Sequence, residues 1–148
     1  EMSVGLRKLQ APTLGLLIIL ASSQVSAQEI EYPEIFSEPM PLMIDALGDL
    51  HFEISSSNAE AQTFFNQGFQ LMYSFAKEDA ARSFKASHLA DPDCAICWWG
   101  ESWAWGSYLN GAMTSAQAPR AYFALKQALR RLDSATEKEA DMILGCHV

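Results

Sequence analysis

Positive charge is what this chain has least of. Ten Lys and Arg stand against eighteen Asp and Glu in 148 residues, a formal net charge of −8. The basic residues are scattered apart from Arg130-Arg131, whereas phosphate backbones are held by clustered cations. Nucleic acid is therefore not an expected partner. Catalytic signatures are missing as well: there is no G-x-S-x-G, no H-E-x-x-H and no glycine-rich phosphate loop. The three histidines lie far apart in the chain, so no histidine-centred constellation is visible. Neither catalysis nor a cofactor is expected. Long apolar runs are also lacking. The run from Leu14 to Leu20 is cut off by Ser22, Ser23 and Gln24, well short of the roughly 20 residues that cross a bilayer.

What that run does fit is export. Arg7 and Lys8 make a basic start, Leu14 to Leu20 an apolar middle, and Val25-Ser26-Ala27 a small-residue boundary. This order predicts a secretory signal peptide over residues 1–27, cleaved after Ala27. An uncleaved anchor is the competing reading and the only membrane attachment expected. No cysteine stands at the boundary, so a lipoprotein anchor is not indicated. The mature chain is expected in the periplasm or outside the cell, where disulfides persist. Residues 28–56 form an acidic leader that holds Pro33, Pro39 and Pro41 but no Lys or Arg. Its first part is expected to be extended, because proline breaks helices. From Leu42 to Ile54 its apolar residues predict either a docked extended segment or a short strand. His51, in the same stretch, is expected to be incidental.

Helical spacing begins after Ser57. Ala61, Phe64, Phe65, Gly68, Leu71, Met72 and Phe75 recur at three and four residues. Ser57 and Glu60 predict a capping box at the start. Gly68 inside the helix costs about 1 kcal/mol relative to alanine, a loss explained if a second helix must approach closely there. That second helix is predicted from near Lys77 to Ala90, with Ala80, Ala81, Phe84 and Ser87 facing back, and Asp91-Pro92 ends it. Asp93 is expected to cap a third helix from Cys94 to about Tyr108. A lengthened turn follows, with Thr114 and Gln117 as a further capping pair and Pro119 in a first turn. A fourth helix spans Ala121 to Leu132. Ser134 and Glu137 are expected to cap a fifth, from Lys138 to Leu144.

Phe64, Gly68, Leu71, Ala80, Phe84 and Pro92 follow the order of a tetratricopeptide repeat, and Trp98 and Trp105 stand one period of about 34 residues after Phe64 and Leu71. On these residues, and on Asp91-Pro92-Asp93-Cys94-Ala95-Ile96-Cys97-Trp98-Trp99-Gly100-Glu101, the chain resembles a group of exported bacterial tetratricopeptide-repeat proteins of mostly uncharacterised role. The resemblance covers about Leu47 to Leu144. It implies an all-α fold, a right-handed superhelix of antiparallel helical hairpins over residues 57–148, with two repeats and the start of a third. Such solenoids need about three units and a polar cap, so truncation at the C-terminus is expected. The resemblance also implies a scaffold that binds a protein or peptide segment.

The expected contact residues are polar or aromatic positions of the first helices and the long turn: Asn66, Gln67, Gln70, Tyr73, Glu101, Tyr108 and Asn110. Glu101 could instead pair with Arg82 or Arg120, or face solvent. Cys94 and Cys97, three apart on one helical face, can close a disulfide. Thiol exchange and metal capture remain open beside it, because a helix N-terminus lowers a thiol's pKa and soft thiolates take copper(I) or zinc. His88 with Cys94 and Cys97 would be the metal ligands, with Asp91, Asp93 or a folded-back Cys146-His147 as additions. The four tryptophans invite a stacking role toward a ligand, yet at helical spacing they read first as core.

Overall fold

Five α-helices follow an irregular leader in the computed structural model, which describes residues 30–43 and 45–146. The proposed signal segment, Ile44 and His147 lie outside the described residues. The helices are α1 (Ala59–Tyr73), α2 (Lys77–Ala90), α3 (Ala95–Trp105), α4 (Ala118–Arg130) and α5 (Glu137–Gly145). Short 3-10 turns occupy Glu34–Ser37 and Leu132–Ser134. Among the described residues the only β pairing is an isolated bridge between Tyr108 and Gly111. The fold is all-α.

The caps differ from the expected ones by one or two residues. Asn58, not Ser57, caps α1, accepting from the backbone amides of Glu60 and Ala61. Its own Nδ2 donates 2.8 Å to Ala90 O, so one side chain serves the start of α1 and the end of α2. Cys94, not Asp93, caps α3, with its sulfur accepting from Cys97 N. The fifth helix is capped by Thr136 with Glu139, in a full capping box, rather than by Ser134 with Glu137. In each case the oxygen or sulfur nearest the orphan amides takes them. The Thr114–Gln117 pair does form, its two bonds closing the turn just ahead of α4.

Contacts show how the helices run. Ala61 O accepts from Ser87 Oγ, and Gln67 bonds Ser83, so α1 and α2 are antiparallel. Lys77 reaches Gly106 O while His88 meets Glu101, which makes α2 and α3 antiparallel too. Arg120 over Trp105 and Arg131 over Trp98 give the same sense to α3 and α4. Phe84 is the centre of this packing. It is fully buried, and its ring fills the space over two glycines. A Cβ on Gly68 would stand 2.9 Å from that ring, and one on Gly100 would stand closer still. The conformationally costly glycine thus creates room for the largest side chain of the facing helix.

The leader is neither a strand nor wholly extended. Its 3-10 turn buries Phe36 against Trp105, with ring centroids 5.2 Å apart, and Met40 is buried as well. Apolar burial outweighs the proline and charge pattern there. Trp99 and Trp105 are buried and Trp98 and Trp103 half-buried, so the tryptophans serve the core. The connection over residues 106–117 is long, as its sequence requires. It contains a two-residue loop, Leu109-Asn110, closed by reciprocal bonds between Tyr108 and Gly111.

Candidate functional site

On one face of α1, Gln62, Asn66 and Gln70 recur every fourth residue and so stand in one row. Gln62 Nε2 donates 2.7 Å to Phe52 O while its Oε1 accepts from Ile54 N at 3.0 Å. Gln67 repeats the pattern, donating 2.9 Å to Pro41 O and accepting from Met43 N at 2.8 Å. Asn66 Oδ1 accepts from Phe52 N at 3.1 Å, and its Nδ2 lies 3.0 Å from His51 Nδ1. Gln70 makes a long contact with Leu50 O, 3.5 Å. A carboxamide offers both donor and acceptor, so Gln62 and Gln67 each engage backbone atoms two residues apart, as a neighbouring strand would. This ladder ignores the side chains of the segment it holds. The segment on it is the chain's own leader. Gln62 was not among the expected contact residues; its four-residue spacing from Asn66 was the available signal.

Glu101 meets neither arginine, and it does not face solvent. It is fully buried. Its Oε2 lies 2.6 Å from His88 Nε2, and its Oε1 accepts from Trp105 Nε1 at 3.1 Å. Arg120 instead donates to Glu31 O, and Arg82 pairs with Asp79. Tyr32 of the leader faces the same carboxylate. Burial, and then the negative charge of Glu101, push its phenol well above the ordinary tyrosine range. His88 is buried with its ring stacked on Trp98, centroids 3.5 Å apart. A buried carboxylate is tolerable only when its oxygens are met, and this one is met by His88 of α2 and Trp105 of α3.

Cys94 and Cys97 lie with their sulfurs at bonding distance, 1.93 Å, and both are buried. His88 is turned toward Glu101 and Trp98 instead of these sulfurs. Among the described residues no group of three or more His, Cys, Asp or Glu side chains could hold a metal ion. Asp91 accepts from Ser56 Oγ and Asp93 N, so it serves the turn. Cys146 is exposed and accepts from Trp99 Nε1 at 3.0 Å.

The other expected contact residues, Tyr73, Tyr108 and Asn110, are exposed. They belong to the end of the molecule where the α1–α2 turn meets the long α3–α4 connection. Phe75 and Tyr108 are in contact there, centroids 6.3 Å apart, and Lys77 lies 4.3 Å over the Tyr108 ring. Partial burial lowers the Lys77 pKa. Leu109 and Met113 extend the patch. Phe75 has φ 62°. It ends α1 in a Schellman arrangement, with Ala76 N bonded to Leu71 O and Phe75 N to Met72 O, at the place where glycine is usual.

No protein family, curated protein or solved structure matches this chain. Among the described residues no helix is long and apolar enough to cross a membrane.

Proposed function

We propose that the chain is an exported scaffold of stacked helical hairpins, of the tetratricopeptide type, that holds a protein or peptide segment and performs no catalysis. The succession of antiparallel pairs and the Gly68–Phe84–Gly100 interlock support the repeat architecture. The pattern of residues 1–27 and the Cys94–Cys97 bond support an oxidising, exported setting. The partner surface is the end carrying Tyr73, Phe75, Tyr108 and Asn110.

One observation carries this assignment. Phe75 occupies a left-handed backbone conformation that costs a non-glycine residue about 1 kcal/mol or more, yet the residue is 57% exposed. Folding gains little from that ring, so the strain serves what the ring meets. Exposed aromatics beside polar loop groups are what recognition surfaces use.

Phe75→Gly is the decisive variant. It is expected to stabilise the chain by about 1 kcal/mol while weakening capture of partner from an envelope extract by about tenfold. Tyr108→Ala should weaken capture similarly. A Phe75→Gly protein that melts higher and still captures the same partner at full strength refutes the surface.

A further inference from the structure

Between the 3-10 turn of the leader and the outer faces of α1 and α2 lies a cleft of about 540 Å³. That is within the roughly 300–1,000 Å³ of small-molecule sites. Phe36, Met40, Phe64 and Leu89 make its apolar wall, and Arg82 and Lys85 enter it from α2. The Arg82 side chain is only 10% exposed. Its Nη1 lies 3.3 Å from Asp79 and its Nη2 donates to Pro39 O across 3.4 Å, both long. Its Nε has no hydrogen-bond partner among the described residues, and a donor buried that far is ordinarily filled. Lys85 lies 4.1 Å over the Tyr32 ring and makes no ion pair among the described residues. Glu38 and Glu60 also line the cleft, but they are exposed and neither pairs with Arg82 or Lys85. Within a chain of net charge −8, the lining brings two cations against two exposed carboxylates, beside an apolar wall.

We infer that the cleft binds a small carboxylate carried on an apolar stem. The carboxylate pairs with the guanidinium of Arg82, whose planar fork suits it, and neutralises Lys85. The stem lies on Phe36, Met40, Phe64 and Leu89. This site shares no residue with the amide ladder or with the Phe75–Tyr108 end, and it stands independently of the scaffold assignment.

The test is calorimetric titration of the whole chain with decanoate, with decanol as the uncharged control. Decanoate is expected to bind about tenfold or more tightly than decanol, and Arg82→Met to erase that difference. Ala86→Phe keeps both cations but fills the cleft, and it should weaken decanoate by a similar factor. Melting curves establish that each variant is folded; Lys85→Met, at a partly exposed position, replaces Arg82→Met if that protein is not. An acetyl-Leu-Leu acid that binds more tightly than decanoate, and loses binding when amidated, would assign the natural carboxylate to a polypeptide C-terminus. Equal affinity for decanoate and decanol, absence of any binding, or undiminished decanoate binding by the folded variants overturns the site.

Discussion

Glu139 illustrates how far one side chain can reach. From α5 it accepts from Thr136 N at 2.7 Å and from Thr136 Oγ1 at 2.9 Å, and its other oxygen takes Ser55 N of the leader at 2.8 Å. A local helix cap is thereby also a long-range tie. Glu139→Ala leaves two backbone amides without their acceptor, and each unmet group costs about 1 to 3 kcal/mol. A drop in the urea midpoint equivalent to about 2 kcal/mol is expected; a change within error would show the tie to be idle. Tyr32 supports a prediction about pH. Its pKa is raised from 10.0 by burial first and by Glu101 second. A group whose folded pKa is raised contributes stability that is fully present below its unfolded pKa and is lost as pH climbs toward the folded one. Stability should therefore fall above about pH 10, and Tyr32→Phe should flatten that alkaline limb. An unchanged slope of urea midpoint against pH between 9.5 and 11 would contradict the burial of the phenol.

Among the elements, α2 and α3 depend on side-chain size more than on propensity. Gly100 and Gly68 both face the Phe84 ring, and both would gain helix propensity as alanine, about 1 kcal/mol each. The ring is buried on every side and cannot retreat. At Gly100 the approach is closer, so overpacking of about 1 to 3 kcal/mol exceeds the propensity gain and Gly100→Ala should destabilise. At Gly68 the two effects are closer to cancelling. Thermal melts of the two single variants check the order, and Gly68→Ala as the more damaging change would reverse it. The close approach at Gly68 was legible from its place in a helical pattern with the later Phe84. The helix boundaries were legible within a few residues. The caps were not, because Ser57, Asp93 and Ser134 are as suitable chemically as Asn58, Cys94 and Thr136. Only backbone geometry at each helix start selects among adjacent oxygens and sulfurs.

At the scale of the whole molecule the leader is an integral layer. Residues from Tyr32 to Ser56 contact α1, α2, α3 and α5 through Phe36, the amide ladder, Ser55 and Ser56. Replacing Gln62 and Gln67 together by alanine removes four bonds to leader backbone, each worth about 1 kcal/mol net. Such a protein should retain its helices by circular dichroism but show faster proteolytic cleavage and amide exchange within residues 41–56. Protection equal to the parent chain would mean that apolar docking alone holds the leader.

The sequence by itself determined the helices, their order and the long α3–α4 connection, because helical spacing and turn residues act over a few neighbours. It also placed Asn66, Gln67 and Gln70 among the side chains expected to meet a bound protein or peptide segment. Only the tertiary structure decided that the segment on them is the chain's own leader, that Glu101 is sealed against His88 and Trp105, and that Arg82 lies beside an apolar cleft. Apart from the Glu101–Trp105 bond, those outcomes join residues from 13 to 43 positions apart. Which distant groups meet is set by how the helices pack, and no local pattern encodes it.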